Sequence, residues 1–430
     1  MNSRFLMLPL VIGTAVAGSM VHALEFNAKG DLRVEHSDNA RRSSDEKISE
    51  LQEQVALEVG GVHAGERVTA NFRYRAERWF FSEDSQSDRT SLEGLASVRW
   101  EQIEQALFWD LEHSRKDVLR DNALVDIQEN RDERDLTTLS PLLVLRLTDV
   151  DLLQARLNYT LVTYREAEDL DSERYGGSLS WLHYLSPTDF FSVTAESSEV
   201  DFDSRLQEDY RYDALTLAYS AQLARISYTV TVGYNSADRD RSGDFSGPIY
   251  GLDVRFNDGL NEWYAHLDSR ITDSSLGDAN RSIFEGINVN DTTLGRADVM
   301  KKTLMEVGVE SQAICSVCRV GAAIFFDRED YDTQPRDNDE YGIELDGTYR
   351  LSQQSALRAS YRFRSISYSG SNNPRSDYDQ HEYLLEYNRR ITNNFSGEIY
   401  VGRSERDGSG QFGQSYDENI VGIRLSYKFL

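Results

Sequence analysis

Hydrophobic and polar residues alternate with period two along most of the chain, in segments of about ten residues, the length of a tilted strand that crosses a bilayer. The clearest case is 224–234. Ala224, Ile226, Tyr228, Val230, Val232 and Tyr234 share one face, and Arg225, Ser227, Thr229, Thr231 and Gly233 share the other. Val68, Ala70, Phe72 and Tyr74 stand likewise opposite Arg67, Thr69, Asn71, Arg73 and Arg75, and Trp263, Ala265, Leu267 and Ile271 opposite Glu262, Tyr264, His266, Asp268 and Arg270. Charges keep to one side, so one face suits lipid and the other water. Helical periodicity is scarce.

A soluble antiparallel sandwich also alternates, because one of its faces packs on a core. The connections argue against it. Short links at 60–66, 148–151, 186–189, 220–223, 257–260, 351–354 and 392–394 alternate with long polar ones at 37–48, 115–135, 166–173, 235–247, 272–302, 327–340, 367–380 and 404–415. This is the up-and-down pattern of an outer-membrane barrel, with turns in the periplasm and loops outside. The pattern predicts an all-β fold, a transmembrane antiparallel up-and-down β-barrel of about 20 strands with both termini periplasmic. Its first strand falls at 29–36 and its last at 419–430. Losing one hairpin, at the first strand, at 105–113 or beside Cys315, gives 18.

Residues 1–23 read as a secretory signal peptide: Arg4, an apolar run from Phe5 to Gly18, and the small-residue site Val21-His22-Ala23. The barrel then occupies 24–430. No later stretch reaches the roughly 18 apolar residues of a membrane-spanning helix, and no Cys follows the cleavage site to carry a lipid anchor. The last strand sets Val421, Ile423, Leu425, Tyr427 and Phe429 against Gly422, Arg424, Ser426 and Lys428. Such an aromatic-rich terminal strand resembles the signal read by the barrel-assembly machinery, with Leu430 following the final aromatic. The expected location is the outer membrane, and the expected partners are its lipid, lipopolysaccharide and that machinery.

Composition removes two other classes. With 23 Tyr, 18 Phe and 5 Trp against 6 Pro, the chain is too aromatic to be disordered. Its net charge of −27 repels phosphate and argues against nucleic acid as a partner.

An internal repeat marks the C-terminal region. Tyr361-Arg362-Phe363-Arg364-Ser365 precedes a Ser/Gly/Asn loop and Tyr378-Asp379; Tyr400-Val401-Gly402-Arg403-Ser404 precedes a Gly/Ser loop and Tyr416-Asp417. With the early His36-Ser37-Asp38-Asn39 and Glu46-Lys47-Ile48-Ser49, this pattern resembles the outer-membrane β-barrel porins of exopolysaccharide loci, including the PEP-CTERM-associated outer-membrane proteins. The resemblance implies a barrel fold and an outer-membrane location, with a secreted exopolysaccharide or other hydrophilic solute as cargo.

If the apolar faces meet lipid, the lumen wall is charged and nearly balanced. Its densest cationic ladder is Arg358, Arg362 and Arg364, beside a strand that presents Glu344, Asp346 and Arg350. These six are the candidates for selectivity, through a transverse field across the pore. The plainer reading is that cross-strand ion pairs satisfy a wet interior. The acidic runs 327–332 and 337–340 carry hard oxygen ligands for Ca²⁺ or Mg²⁺ bridged to lipopolysaccharide, but without the spacing of a dedicated site, so they read as solvated charge and no metal is expected. Cys315 and Cys318, three apart at a hairpin turn in an oxidising compartment, are expected to form a small disulfide. Arg319 after Cys318 excludes a haem attachment motif, and no cofactor is expected.

Beyond residue 23, His36, His63, His113 and His381 fall in turns or at strand ends by the pattern, and His183 and His266 in mid-strand. Neither a Gly-x-Ser-x-Gly elbow nor a His-Glu-x-x-His pair occurs, so the chain does not read as an enzyme. Two functions fit. One is a channel for a polysaccharide or other hydrophilic solute. The other is a structural or adhesive barrel whose lumen is plugged, with the connection 272–302 and its Ile283, Phe284, Ile287 and Val289 as the plug.

Overall fold

Each alternating segment forms a strand, because period-two chemistry suits a pleated wall with lipid on one side and water on the other. The computed structural model describes residues 24–121, 123–275, 298–369, 376–409 and 414–429. In chain order the strands are β1 (Glu25–Ser37), β2 (Glu50–Ala64), β3 (Val68–Phe81), β4 (Arg89–Ile103), β5 (Leu107–Leu119), β6 (Arg131–Arg146), β7 (Asp151–Tyr164), β8 (Ser172–Ser186), β9 (Asp189–Phe202) and β10 (Tyr210–Gln222). They continue as β11 (Ile226–Arg239), β12 (Phe245–Asn257), β13 (Asn261–Asp273), β14 (Val299–Ser311), β15 (Cys318–Tyr331), β16 (Asn338–Arg350), β17 (Ser355–Tyr368), β18 (Tyr378–Arg390), β19 (Phe395–Gly408) and β20 (Tyr416–Lys428). The signal segment 1–23 and Leu430 lie outside the described residues.

Every strand pairs antiparallel with the next, and β1 closes on β20 from Lys29↔Lys428 to Ser37↔Ile420, so the sheet is a closed 20-stranded barrel without an edge. The 20-strand count is therefore the right one, and the hairpins at 105–113 and beside Cys315 are both present.

Several boundaries differ from the sequence reading. The strands run 13–16 residues rather than about ten. The antiparallel ladder needs only backbone groups, so it continues above the lipid level, where both faces meet water and the alternation fades. The expected loop 115–135 thereby shrinks to 120–130, and 235–247 to 240–244. Gln105, expected in a strand, occupies the β4–β5 turn with φ 55°, and β5 starts at Leu107. His113, expected at a strand end, lies inside β5. Turn and loop lengths also overlap: the 312–317 turn is longer than the 240–244 loop. The ladder, not length, decides which end of the barrel a connection occupies.

The outer face carries what a water-soluble protein would bury: Leu57, Val232, Ile399 and Val421 are about half exposed. Buried apolar clusters gather instead inside the long-loop end. One joins Leu136, Val162, Tyr164 and Leu170, and another joins Ala237, Ile271 and Val299. Between them the roots of the 274–298 connection turn inward. Arg174 Nη1 donates to Asp273 Oδ2 at 2.6 Å, Arg174 Nη2 donates to Ser275 Oγ at 2.6 Å, and the Tyr164 hydroxyl donates to the Ser275 carbonyl. Ile283, Phe284, Ile287 and Val289 of the expected plug lie outside the described residues.

At the closing seam, the Tyr400 ring lies over Gly422 of β20, in space that any Cβ would fill. That placement lets the Tyr400 hydroxyl donate to Glu35 of β1 at 2.7 Å while the Arg33 guanidinium sits 4.9 Å from the ring.

Candidate functional site

The six wall residues lie together on the lumen face of β16 and β17. The β16–β17 register sets Glu344 against Arg362, Asp346 against Ser360, Thr348 against Arg358 and Arg350 against Ala356. The ladder thus climbs from Arg350, beside the short-turn end, through Arg358 and Arg362 to Arg364. Arg358, Arg362 and Arg364 each have partners, several of them on β18. Arg362 Nε donates to Glu344 at 2.8 Å and faces Glu382 at 4.0 Å. Arg358 lies 3.8 Å from Glu386, and Arg364 donates to Gln380 Oε1 at 2.9 and 3.2 Å. Asp346 leans instead over β15, where its carboxylate fills the space that a Cβ at Gly321 would take. Together with Arg42, Glu382 and Glu418, part of this wall encloses a recess of about 450 Å³.

Above the ladder, the 120–130 connection reaches across the mouth of the barrel. It leaves from β5 and returns to β6, yet it is held on β19, from which β5 is separated round the wall by β4, β3, β2, β1 and β20. Arg406 Nη1 donates to the Leu124 carbonyl at 2.9 Å and Nη2 to the Ala123 carbonyl. The Val125 amide donates to Gln414 Oε1 at 3.0 Å, and Arg42 Nη1 donates to the Asp126 carbonyl at 2.7 Å. Arg131 grips the Asp126 carboxylate with both Nε and Nη2, at 2.7 and 2.8 Å. Burial pushes the Asp126 carboxyl up, but the Arg131 charge and hydrogen bonds, with the Arg42 charge, outweigh it and hold the group below its ordinary range.

The alternation alone does not show this strap: it places Arg406 in a loop at 404–415, whereas β19 runs to Gly408. The signal was present: counting even positions onward from Gly402 through Ser404 brings Arg406 to the lumen face.

The acidic runs expected to be solvated are largely engaged with the protein. Lys302 lies 3.2 Å from Asp327 and 3.0 Å from Glu329, Arg328 pairs with Asp330, and Asp332 pairs with Arg239. His113 Nδ1 lies 2.6 Å from the Tyr74 hydroxyl, and His183 pairs with Asp151 at 2.8 Å. Cys315 and Cys318 are joined as a disulfide across the 312–317 turn, with Cα atoms 5.2 Å apart.

Residues 310–428 match the family described as "Putative outer membrane beta-barrel porin, MtrB/PioB". No curated protein matches the chain. Among solved structures, the siderophore receptor PirA from Acinetobacter baumannii is 9% identical, with 94% of this chain and 80% of that one covered at a TM-score of 0.48. OmpTdeltaL8, a loop-deletion mutant of an outer membrane protein of Vibrio cholerae, is 10% identical, with 95% and 100% covered at 0.37. Acinetobacter baumannii OccAB4 is also 10% identical, with 94% and 98% covered at 0.39. Likenesses this distant say nothing of cargo. The apolar outer face of a closed barrel, with the match over its C-terminal strands, makes this chain an outer-membrane β-barrel of porin-like build.

Proposed function

We propose that the protein is an outer-membrane channel for an extended hydrophilic solute, with a secreted exopolysaccharide as the solute class. The observation that carries this reading is the size and lining of the lumen. Twenty strands spaced ~4.8 Å and tilted ~40° enclose a backbone cylinder on the order of 40 Å across, too wide for wall side chains to fill. The wall facing that space is a mesh of paired charges, with Arg362–Glu344 at 2.8 Å and Arg424–Glu398 at 3.1 Å among them. Such a wall stays wet and offers donors and acceptors of both signs, which suits a polyhydroxylated chain. In this reading the termini and short turns face the periplasm, the strap lies on the outer side, lipopolysaccharide surrounds the polar upper wall, and the assembly machinery reads β20.

A second reading, a non-conducting adhesive or structural barrel, draws on the strap itself, which covers part of the mouth. Single-channel recording in planar bilayers separates the two. The channel reading expects discrete conductance steps from the purified protein, reduced by added oligosaccharide. A correctly inserted protein that gives no steps, including after the strap 120–130 is replaced by a short Gly-Ser turn, overturns it.

A further inference from the structure

The strap is held by an arginine with no acid beside it among the described residues. Arg406 is 5% exposed, and among the described residues no carboxylate pairs with it. Its Nη groups donate to the neutral carbonyls of Ala123 and Leu124, and its Nε is buried with no hydrogen-bond partner. Arg406 packs 3.5 Å from the Tyr378 ring centroid, and Arg364 stands 5.8 Å from the same centroid. Arg42 stands over the neighbouring Tyr416 ring at 5.7 Å and is ion-paired with Glu418 at 2.9 Å.

A buried guanidinium without a counter-charge is costly, and carbonyl dipoles offset less of that cost than a carboxylate does. Arg406 stands above the Arg362–Arg364 end of the ladder.

We infer that Arg406, Arg364 and Tyr378 form a binding site for the carboxylate or sulfate groups of an anionic polysaccharide, which the strap carbonyls of Ala123 and Leu124 occupy until the polymer displaces them. This rests on the channel reading and narrows its solute to an acidic polymer. A planar guanidinium fork takes a carboxylate through two parallel donors, which two separate carbonyls only imitate. The Tyr378 ring, on which the Arg406 guanidinium stacks at 3.5 Å, holds that fork in place. A polymer has the advantage over a small anion because several charged groups act together against one strap.

The test is calorimetric titration of the whole protein in detergent micelles with an oligogalacturonate, with an uncharged malto-oligosaccharide of equal length, and with monomeric galacturonate. Wild type is expected to prefer the oligogalacturonate. The double variant Arg364→Gln/Arg406→Gln is expected to weaken oligogalacturonate binding by about tenfold or more relative to the neutral oligomer, the loss of a charge-assisted pair. Equal affinity for the charged and neutral oligomers in wild type, or an unchanged ratio in the double variant with heat-modifiable migration intact, overturns the site. Oligogalacturonate binding no tighter than the monomer's overturns the polymer assignment.

The competition is tested separately by bridging Val125→Cys and Gln414→Cys with a reducible bis-thiosulfonate cross-linker, in a Cys315→Ser/Cys318→Ser background. The locked strap is expected to abolish oligogalacturonate binding and reduction to restore it; binding undiminished in the locked form overturns displacement. A protein that binds in this way but conducts nothing keeps the site and loses the channel. One that conducts while its binding ignores both arginines does the reverse.

Discussion

Arg362 donates to Glu344 across one strand boundary and faces Glu382 across the other, so its charge is shared between two acids rather than projected into the pore. An ion pair of this partly exposed kind is worth about 0.2–1 kcal/mol. The ladder's influence on a passing ion should therefore be graded. Changing Arg358, Arg362 and Arg364 all to Glu alters the wall by six charge units. At ~10 Å from a permeating ion in water, screened over ~8 Å, that amounts to roughly 0.7 kcal/mol, or about a threefold shift toward cations. Reversal potentials under a salt gradient measure it. An unchanged potential in a variant that still folds would show the ladder to be structural pairing alone.

At the scale of elements, the long-loop end is built of connections pinned by buried polar contacts, and one of these is sensitive to pH. Asp171, in the connection between β7 and β8, accepts the Tyr164 amide at 2.7 Å. Burial raises its carboxyl to about 6, against that hydrogen bond, and the charges of Asp203, Glu168 and Asp132 push the same way. The folded loop thus holds a proton that the unfolded chain, with an ordinary carboxylate near 3.8, has already lost. Stability from this group is fullest at low pH and falls as pH rises through the window from about 4 to about 6. Amide protection in 165–171, corrected for intrinsic exchange, is expected to be greater at pH 5 than at pH 7. Asp171→Asn should flatten the difference. Protection that rises with pH, or the same slope in the Asn variant, contradicts this account.

For the whole molecule, closure is the dominant fact. With β1 paired to both β2 and β20, no backbone ladder is left open to lipid, where an unpaired amide has no water to turn to. The folded protein is expected to migrate faster on a detergent gel than after boiling, with a β-dominated circular dichroism spectrum. Deleting β1 exposes the inner edges of β2 and β20 and should abolish the fast-migrating form. A β1-deleted chain that still shows it would mean that the barrel can close on 19 strands.

Within that frame, what was legible in the sequence is whatever depends on phase. Period two tells each residue whether it meets lipid or lumen, so Val230 and Val232 could be placed outside, and Arg358, Arg362 and Arg364 on one face, from the alternation alone. The alternation also gave the parity and number of strands, because each hairpin reverses the chain and a closed barrel returns it to its starting end. Tertiary structure decided what depends on neighbours distant in the chain. Gln380, Glu382 and Glu386 become ladder partners through the register of β17 with β18, and a one-residue slip would send them to the lipid face. Strand length was hidden because the backbone ladder outlasts the lipid that imposes the alternation. The strap was hidden for a stronger reason: Arg406 and Leu124 are 282 residues apart and meet only because twenty strands close into a ring, which brings loops from separate hairpins over one mouth.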